Sequence, residues 1–165
     1  MRAAETLATI ALGANLGDRK AALERALAGL AALPQTRLVA RSSWHETEAV
    51  GGSPGQPRFL NGVARLATAL GPRELLAELQ RLELEAGRDR VHELRYGPRV
   101  LDLDLVFYGE LALSEPGLEL PHPRAEARLF VLEPLSEIAP DERLPGCGKS
   151  VRERVRELRE RGAGA

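Results

Sequence analysis

Arg95-Tyr96-Gly97-Pro98-Arg99-Val100-Leu101-Asp102-Leu103-Asp104-Leu105-Val106-Phe107-Tyr108-Gly109 places two carboxylates inside an otherwise apolar run. Its length and apolar content predict a strand, and in a strand residues i and i+2 point to one face, roughly 6.6 to 7 Å apart. Asp102 and Asp104 therefore share one side, and Leu101, Leu103 and Leu105 share the other. An exposed edge strand would explain the aspartates as solvated residues, but the flanking run from Val100 to Tyr108 reads as central rather than edge. Two anions on a half-buried face repel each other, and each is disfavoured unless a cation lies between them. Hard oxygen ligands point to magnesium, which takes one or two carboxylates together with substrate phosphates.

Working outward, the chain alternates strand and helix signals. Thr6 to Gly13 reads as a first strand, and Gly13-Ala14-Asn15-Leu16-Gly17-Asp18 as a turn in which Asp18 caps a helix. Ala22, Leu23, Ala26, Leu27, Leu30 and Leu33 recur at helical spacing until Pro34. Thr36 to Thr47 alternates as a second strand. Glu48 to Arg58, with three glycines and two prolines, is a candidate binding loop. Phe59 to Ala69 is a third strand, and Gly71-Pro72 opens a second helix carrying Leu75, Leu76, Leu79, Leu82 and Ala86. After a charged connector, Arg88 to Pro98, comes the two-aspartate strand. The order is βαββαβ, which predicts an α+β, ferredoxin-like core: an antiparallel sheet with helices packed on one face. A C-terminal extension of short elements and a final helix, about Lys149 to Arg161, completes a single domain, 1–165.

The composition excludes several classes. At 165 residues with a net charge of −1, the chain has no dominant basic surface for nucleic acid and no apolar run long enough for a membrane span. The apolar run Leu7 to Leu12 is too short for a signal peptide, and Cys147 is the only cysteine, so a soluble, cytoplasmic protein is expected. Lys20 and Lys149 are the only lysines and Asn15 and Asn61 the only asparagines, a bias consistent with a GC-rich genome or a hot habitat. An asparagine in so asparagine-poor a chain is a candidate for work that arginine or glutamate cannot do.

Other residues gather around the strand. His122 lies between Pro121 and Pro123, which fix the backbone and aim the imidazole. A hydrogen bond to phosphate suits it better than magnesium ligation. His45 and His92 lack such a context and read as structural or surface residues. Arg88, Arg90, Arg95, Arg99, Arg124 and Arg128 crowd both flanks of the aspartate strand, where guanidinium groups can bind phosphate oxygens bidentately. Phe59 and Phe130 stand near element ends, placed to sandwich a flat heterocycle, and Asn61, on the face of Phe59, offers a donor and an acceptor to its edge. Gly146-Cys147-Gly148-Lys149-Ser150 resembles the end of a phosphate-binding loop, but Arg143 stands where the first glycine is required.

Leu12-Gly13-Ala14-Asn15-Leu16-Gly17-Asp18, Gln56-Pro57-Arg58-Phe59-Leu60-Asn61, Gly97-Pro98-Arg99-Val100-Leu101-Asp102-Leu103-Asp104 and Pro121-His122-Pro123-Arg124 with Arg128 and Phe130, in this order, resemble the 6-hydroxymethyl-7,8-dihydropterin pyrophosphokinases. The resemblance spans nearly the whole chain. It implies a ferredoxin-like core and transfer of pyrophosphate from ATP to a pterin alcohol in folate biosynthesis. It also implies two Mg2+ ions on Asp102 and Asp104. Gln80, Glu83, Arg88, Arg90, Tyr96, Arg99, His122 and Arg128 are then the ATP-facing residues, with Arg88, Arg99, His122 and Arg128 acting on the transferring phosphates. Phe59 and Phe130 clamp the pterin, with Asn61 at its edge and Thr47 and Val50 completing the pocket. Ala14, Glu48 and Tyr96 depart from the residues usual at those positions. The partners implied are small molecules, with no nucleic acid, membrane or obligate protein partner.

Without an obvious general base, positioning and charge neutralisation are expected to dominate, with segments 14–18, 48–58 and 87–98 closing over the substrates. A nucleotidyltransferase, which also uses paired aspartates, and a ferredoxin-like binding module are the competing readings. The module would show exposed sheet aromatics and a basic surface, and this chain offers little of either.

Overall fold

The computed structural model describes residues 4–48, 55–88 and 99–162. The elements run β1 (Thr6–Ala14), α1 (Arg19–Ala31), β2 (Thr36–Arg41), β3 (His45–Thr47), β4 (Phe59–Thr68), α2 (Pro72–Glu85), β5 (Asp102–Tyr108), a short hairpin β6 (Leu113–Glu115) and β7 (Leu118–Leu120), a 3-10 turn (Ala125–Ala127), α3 (Leu129–Ile138) and α4 (Val151–Glu160). The main sheet has the order β2-β4-β1-β5, with β3 also paired to β4, and every pairing is antiparallel.

Local chemistry sets the boundaries. Asp18 caps α1 by accepting the Ala21 N–H at 3.1 Å. Pro72 occupies the first turn of α2, where its missing N–H costs nothing, and Glu74 reaches back to the Gly71 N–H at 2.9 Å. The strand expected over Thr36 to Thr47 is split in two. Ser42 turns its hydroxyl onto the Val63 N–H at 2.9 Å, and its own N–H bonds the Val63 carbonyl at 2.9 Å. A side-chain oxygen thus takes the place of a ladder carbonyl, and β3 restarts at His45.

Alternation along the strands builds two cores. One face of β1 (Ala8, Ile10, Leu12) and the leucines Leu101, Leu103 and Leu105 pack with Leu23 and Leu30 of α1 and Leu75 and Leu79 of α2. On the other face, Val63, Val106 and Phe107 pack with Leu129, Leu132 and Leu135 of α3 and Val151, Val155 and Leu158 of α4. Helices on one face describes α1 and α2 only. The C-terminal helices cover part of the opposite face. α3 was not separated from the tail in sequence because Pro134, a usual helix breaker, lies within it.

The aspartate strand is also not central. β5 ends the strand order, so it is an edge. It reads as central because both faces are packed and its outer edge is capped. The Glu83 carboxylate accepts the Leu103 N–H at 2.9 Å, and the His122 N–H donates to the Val106 carbonyl at 2.9 Å.

Candidate active site

The second face of the sheet is covered by α3 and α4 at one end and open at the other, and the open end carries the polar residues. Asp102 pairs with Gly13 and Asp104 with Ala11 on one side of β1, while Asn61 pairs with Gly13 on the other. The two aspartates therefore share a face, as the strand period requires, and look across a strip of β1 bearing almost no side chain. A Cβ on Gly13 would lie 2.8 Å from Asn61 Oδ1 and 3.6 Å from Phe59 Cδ1, so glycine is what lets those groups lie flat over β1. The Asn61 amide donates to the Thr47 hydroxyl, which ties β4 to β3 beneath the same opening.

Above this floor is a cavity of about 480 Å³. Phe59, Asn61, Thr47 and Phe130 line one part of it, and Asp102, Asp104, Arg99, Arg124 and Arg128 line another. Phe130 comes from the first turn of α3, with the Arg128 guanidinium 5.3 Å from its ring centre. One end is suited to a flat, hydrogen-bonding ring, and the other alternates carboxylates with guanidinium groups.

Within this mixed-charge end, one carboxylate is held where its ionised form is disfavoured. Burial, then the neighbouring charges of Asp102 and Glu83, push the Asp104 carboxyl up to about 7, against a smaller lowering by Arg128 and Arg88. Asp102 accepts from Arg88 Nη1 at 2.8 Å, and the same guanidinium pairs with the buried Glu83. Among the described residues no cluster of three or more Asp, Glu, His or Cys side chains completes a protein cage for a metal. Two carboxylates without a third protein ligand fit an ion whose other positions are filled by phosphate oxygens and water, the usual arrangement for magnesium.

Four expected site residues do not line the cavity. Gln80 is exposed on α2. Glu83 is only 1 % exposed, and it holds Arg88 and the Leu103 N–H. Arg88 is also buried and reaches the site through Asp102. His122 hooks its backbone onto β5, and its ring accepts the Arg124 N–H at 3.3 Å. Burial, followed by the charges of Arg128 and Arg124, lowers the His122 pKa from its ordinary value. That favours a neutral imidazole, able to donate one hydrogen bond. Val50, Arg90 and Tyr96 lie outside the described residues, as does most of the expected closure of 48–58 and 87–98.

Two residues gain a place that sequence reasoning had not given them. His45 pairs with Glu137, which also accepts from the Ser43 N–H and hydroxyl at 2.9 Å, so it joins the β3 segment to α3. Asn15 is 2 % exposed and bonds to both 56–57 and Arg99. The signal for it was the scarcity of asparagine. In the Gly146-Cys147 segment the two backbone N–H groups donate to the Glu126 carboxylate at 2.7 and 2.8 Å.

Comparison with known proteins agrees with this arrangement. Residues 9–140 match the family model described as 7,8-dihydro-6-hydroxymethylpterin-pyrophosphokinase. The chain is 49 % identical over 136 residues to a 2-amino-4-hydroxy-6-hydroxymethyldihydropteridine pyrophosphokinase of Pseudomonas aeruginosa, covering 82 % of each chain. It is 43 % identical over 132 residues to the protein of the same name from Bacillus subtilis, covering 80 % of this chain and 77 % of that one. Among solved structures, a Plasmodium falciparum HPPK-DHPS chain matches with a TM-score of 0.74 at 15 % identity, covering 95 % of this chain and 46 % of its own length. At that identity the last likeness concerns the fold alone.

Proposed function

The chain belongs to the 7,8-dihydro-6-hydroxymethylpterin-pyrophosphokinase family, and from that premise we propose how its residues divide the work. The reaction is transfer of pyrophosphate from ATP to 6-hydroxymethyl-7,8-dihydropterin in folate synthesis, by an ATP-dependent diphosphokinase. The observation that carries the assignment of residues is the juxtaposition in one cavity of Phe59, Asn61 and Phe130 with Asp102, Asp104 and three arginines.

Phe59 and Phe130 hold the pterin ring between them, and Asn61, its orientation fixed by Thr47, reads the ring edge, with Val50 completing that wall. Asp102 and Asp104 hold two Mg2+ ions, which when bound supply charge neutralisation to the phosphates of ATP. Arg99 and Arg128, with Arg124 beside them, bind phosphate oxygens and stabilise the negative charge that shifts toward the leaving AMP. Neutral His122 donates to the same phosphates. Gln80, Arg90 and Tyr96 contact the nucleotide. Glu83 works through Arg88, which it holds aimed at Asp102. The substrate hydroxyl attacks the β-phosphorus, the bond from that phosphorus to the oxygen bridging it to the α-phosphate breaks, AMP leaves with the bridging oxygen, and the hydroxyl proton passes to solvent. With Asp104 assigned to the metal, orientation and charge carry the rate.

We further read the core as ferredoxin-like, the whole 1–165 as one domain, and the setting as cytoplasmic, with no obligate protein partner. The strand order supports the first of these readings. The test is product analysis with ATP, magnesium and the hydroxymethyl dihydropterin. AMP and the pterin diphosphate are expected. Pyrophosphate release would mean nucleotidyl transfer and would overturn the proposal.

A further inference from the structure

Asn15 follows β1 directly and its side chain makes three hydrogen bonds. Its Oδ1 accepts the Arg99 N–H at 2.7 Å, and its own backbone N–H donates to the Arg99 carbonyl at 3.0 Å. Its Nδ2 donates to the Pro57 carbonyl at 2.9 Å and to Gln56 Oε1 at 3.0 Å. The partners belong to opposite halves of the site. Arg99 lines the cavity three residues before Asp102. Pro57 comes two residues before Phe59, the aromatic wall. An amide is the neutral side chain that offers an acceptor and a donor at one tip, which is what two backbone partners of opposite polarity demand. Both asparagines of the chain thus converge on this one site.

We infer that Asn15 is a positioning residue that sets the two halves of the site against each other, its oxygen fixing the phosphate side through Arg99 and its nitrogen fixing the ring side through Pro57 and Gln56. This rests on the functional reading above. Asn15 need not touch either substrate. Small displacements of a binding wall lower effective concentration steeply, so a rim residue can govern both substrates from outside the cavity.

The two ends of one amide can be separated by substitution. Asn15→Asp keeps the acceptor for Arg99 but replaces the donor with an oxygen facing two other oxygens. Asn15→Ala removes both. The experiment measures KM for ATP and for the hydroxymethyl dihydropterin, with kcat, for the wild type and both variants at pH 8, with circular dichroism to confirm folding. For Asn15→Asp the pterin KM should rise about tenfold while the ATP KM stays within about twofold. For Asn15→Ala both should rise. A merely structural role would move both constants together in Asn15→Asp, and that result, or no change in either, overturns the inference. If Asn15→Asp does not fold, Gln56→Ala takes its place, with a pterin-selective rise of about threefold expected and an unselective effect or none overturning it. Wild-type enzyme that releases no AMP would instead overturn the functional reading.

Discussion

The two faces of the sheet are built from the same strands and obey opposite rules. On the face covered by α1 and α2, β5 presents Leu103 and Leu105, with Leu101 just before it, to a sealed apolar core. On the other face, at the end α3 and α4 leave uncovered, it presents Asp102 and Asp104 to a cavity. Residues one step apart on a single strand therefore do different jobs: the leucines fix where the strand lies, and the aspartates use that position. The closed end of the polar face adds a second contrast. There Arg65 is matched by Glu142 in a two-bond pair, a self-contained charge balance. At the open end the carboxylates Asp102, Asp104 and Glu83 gather near Arg88, and burial with its neighbours' charge keeps Asp104 hard to ionise. A carboxylate held this hard to ionise beside a second one marks a place suited to a cationic ligand.

The comparison breaks most sharply at the aspartates. Asp102→Asn and Asp104→Asn should each lower turnover by on the order of 10³-fold or more, because each removes charge that acts on the transferring group, while circular dichroism stays native-like and neither variant melts below the wild type. Retained activity in both variants would sink the division of labour between the faces. The converse substitution, Leu103→Ala, should act on stability. Leu103 is 3 % exposed in the first core, so its loss leaves a cavity costing about 2 to 5 kcal/mol, or roughly 5 to 15 °C in Tm. A melting curve equal to wild type would mean the leucine face is not the anchor.

Much of this contrast was legible in the sequence. The i, i+2 rule placed Asp102 and Asp104 on one face, and the register confirms it: they pair with Gly13 and Ala11 of the same strand face. Phe59 and Phe130 were legible from their positions near element ends and Asn61 from sharing a face with Phe59, and all three line the cavity. What was not legible depends on contacts between distant segments. An apolar run cannot distinguish a central strand from an edge strand whose open backbone groups are satisfied by a buried Glu83 and by the His122 N–H. Nor does the spacing of Glu83 and Arg88 reveal that both are buried, or that their pairing brings one guanidinium to Asp102. Ser42 looks like any polar residue of an alternating strand, yet its hydroxyl divides that strand in two. α3 was hidden by Pro134, whose helix is held by packing more than by propensity.

The smallest expected effect tests the disfavoured ionisation of Asp104 itself. With the Asp104 carboxyl raised to about 7 in the folded protein and near the ordinary carboxylate range when unfolded, the folded state keeps a proton that the unfolded chain releases between about pH 4 and 7. Stability from this group is therefore fully present below about pH 4 and is lost as pH rises through about 7. Asn at that position has no proton to lose. In metal-free protein, Asp104→Asn should gain on the wild type as pH rises from 4.5 to 8. The gain is roughly 1 to 2 kcal/mol after screening at the open mouth, or about 2 to 5 °C in Tm. Magnesium should raise the wild-type Tm at pH 8 and move the variant less, because the cation stabilises the ionised carboxylate that the variant lacks. Parallel Tm curves for the two proteins across this range would show that the open end is no more strained than the closed one, and the contrast between the Arg65–Glu142 pair and the aspartates would then be one of geometry alone.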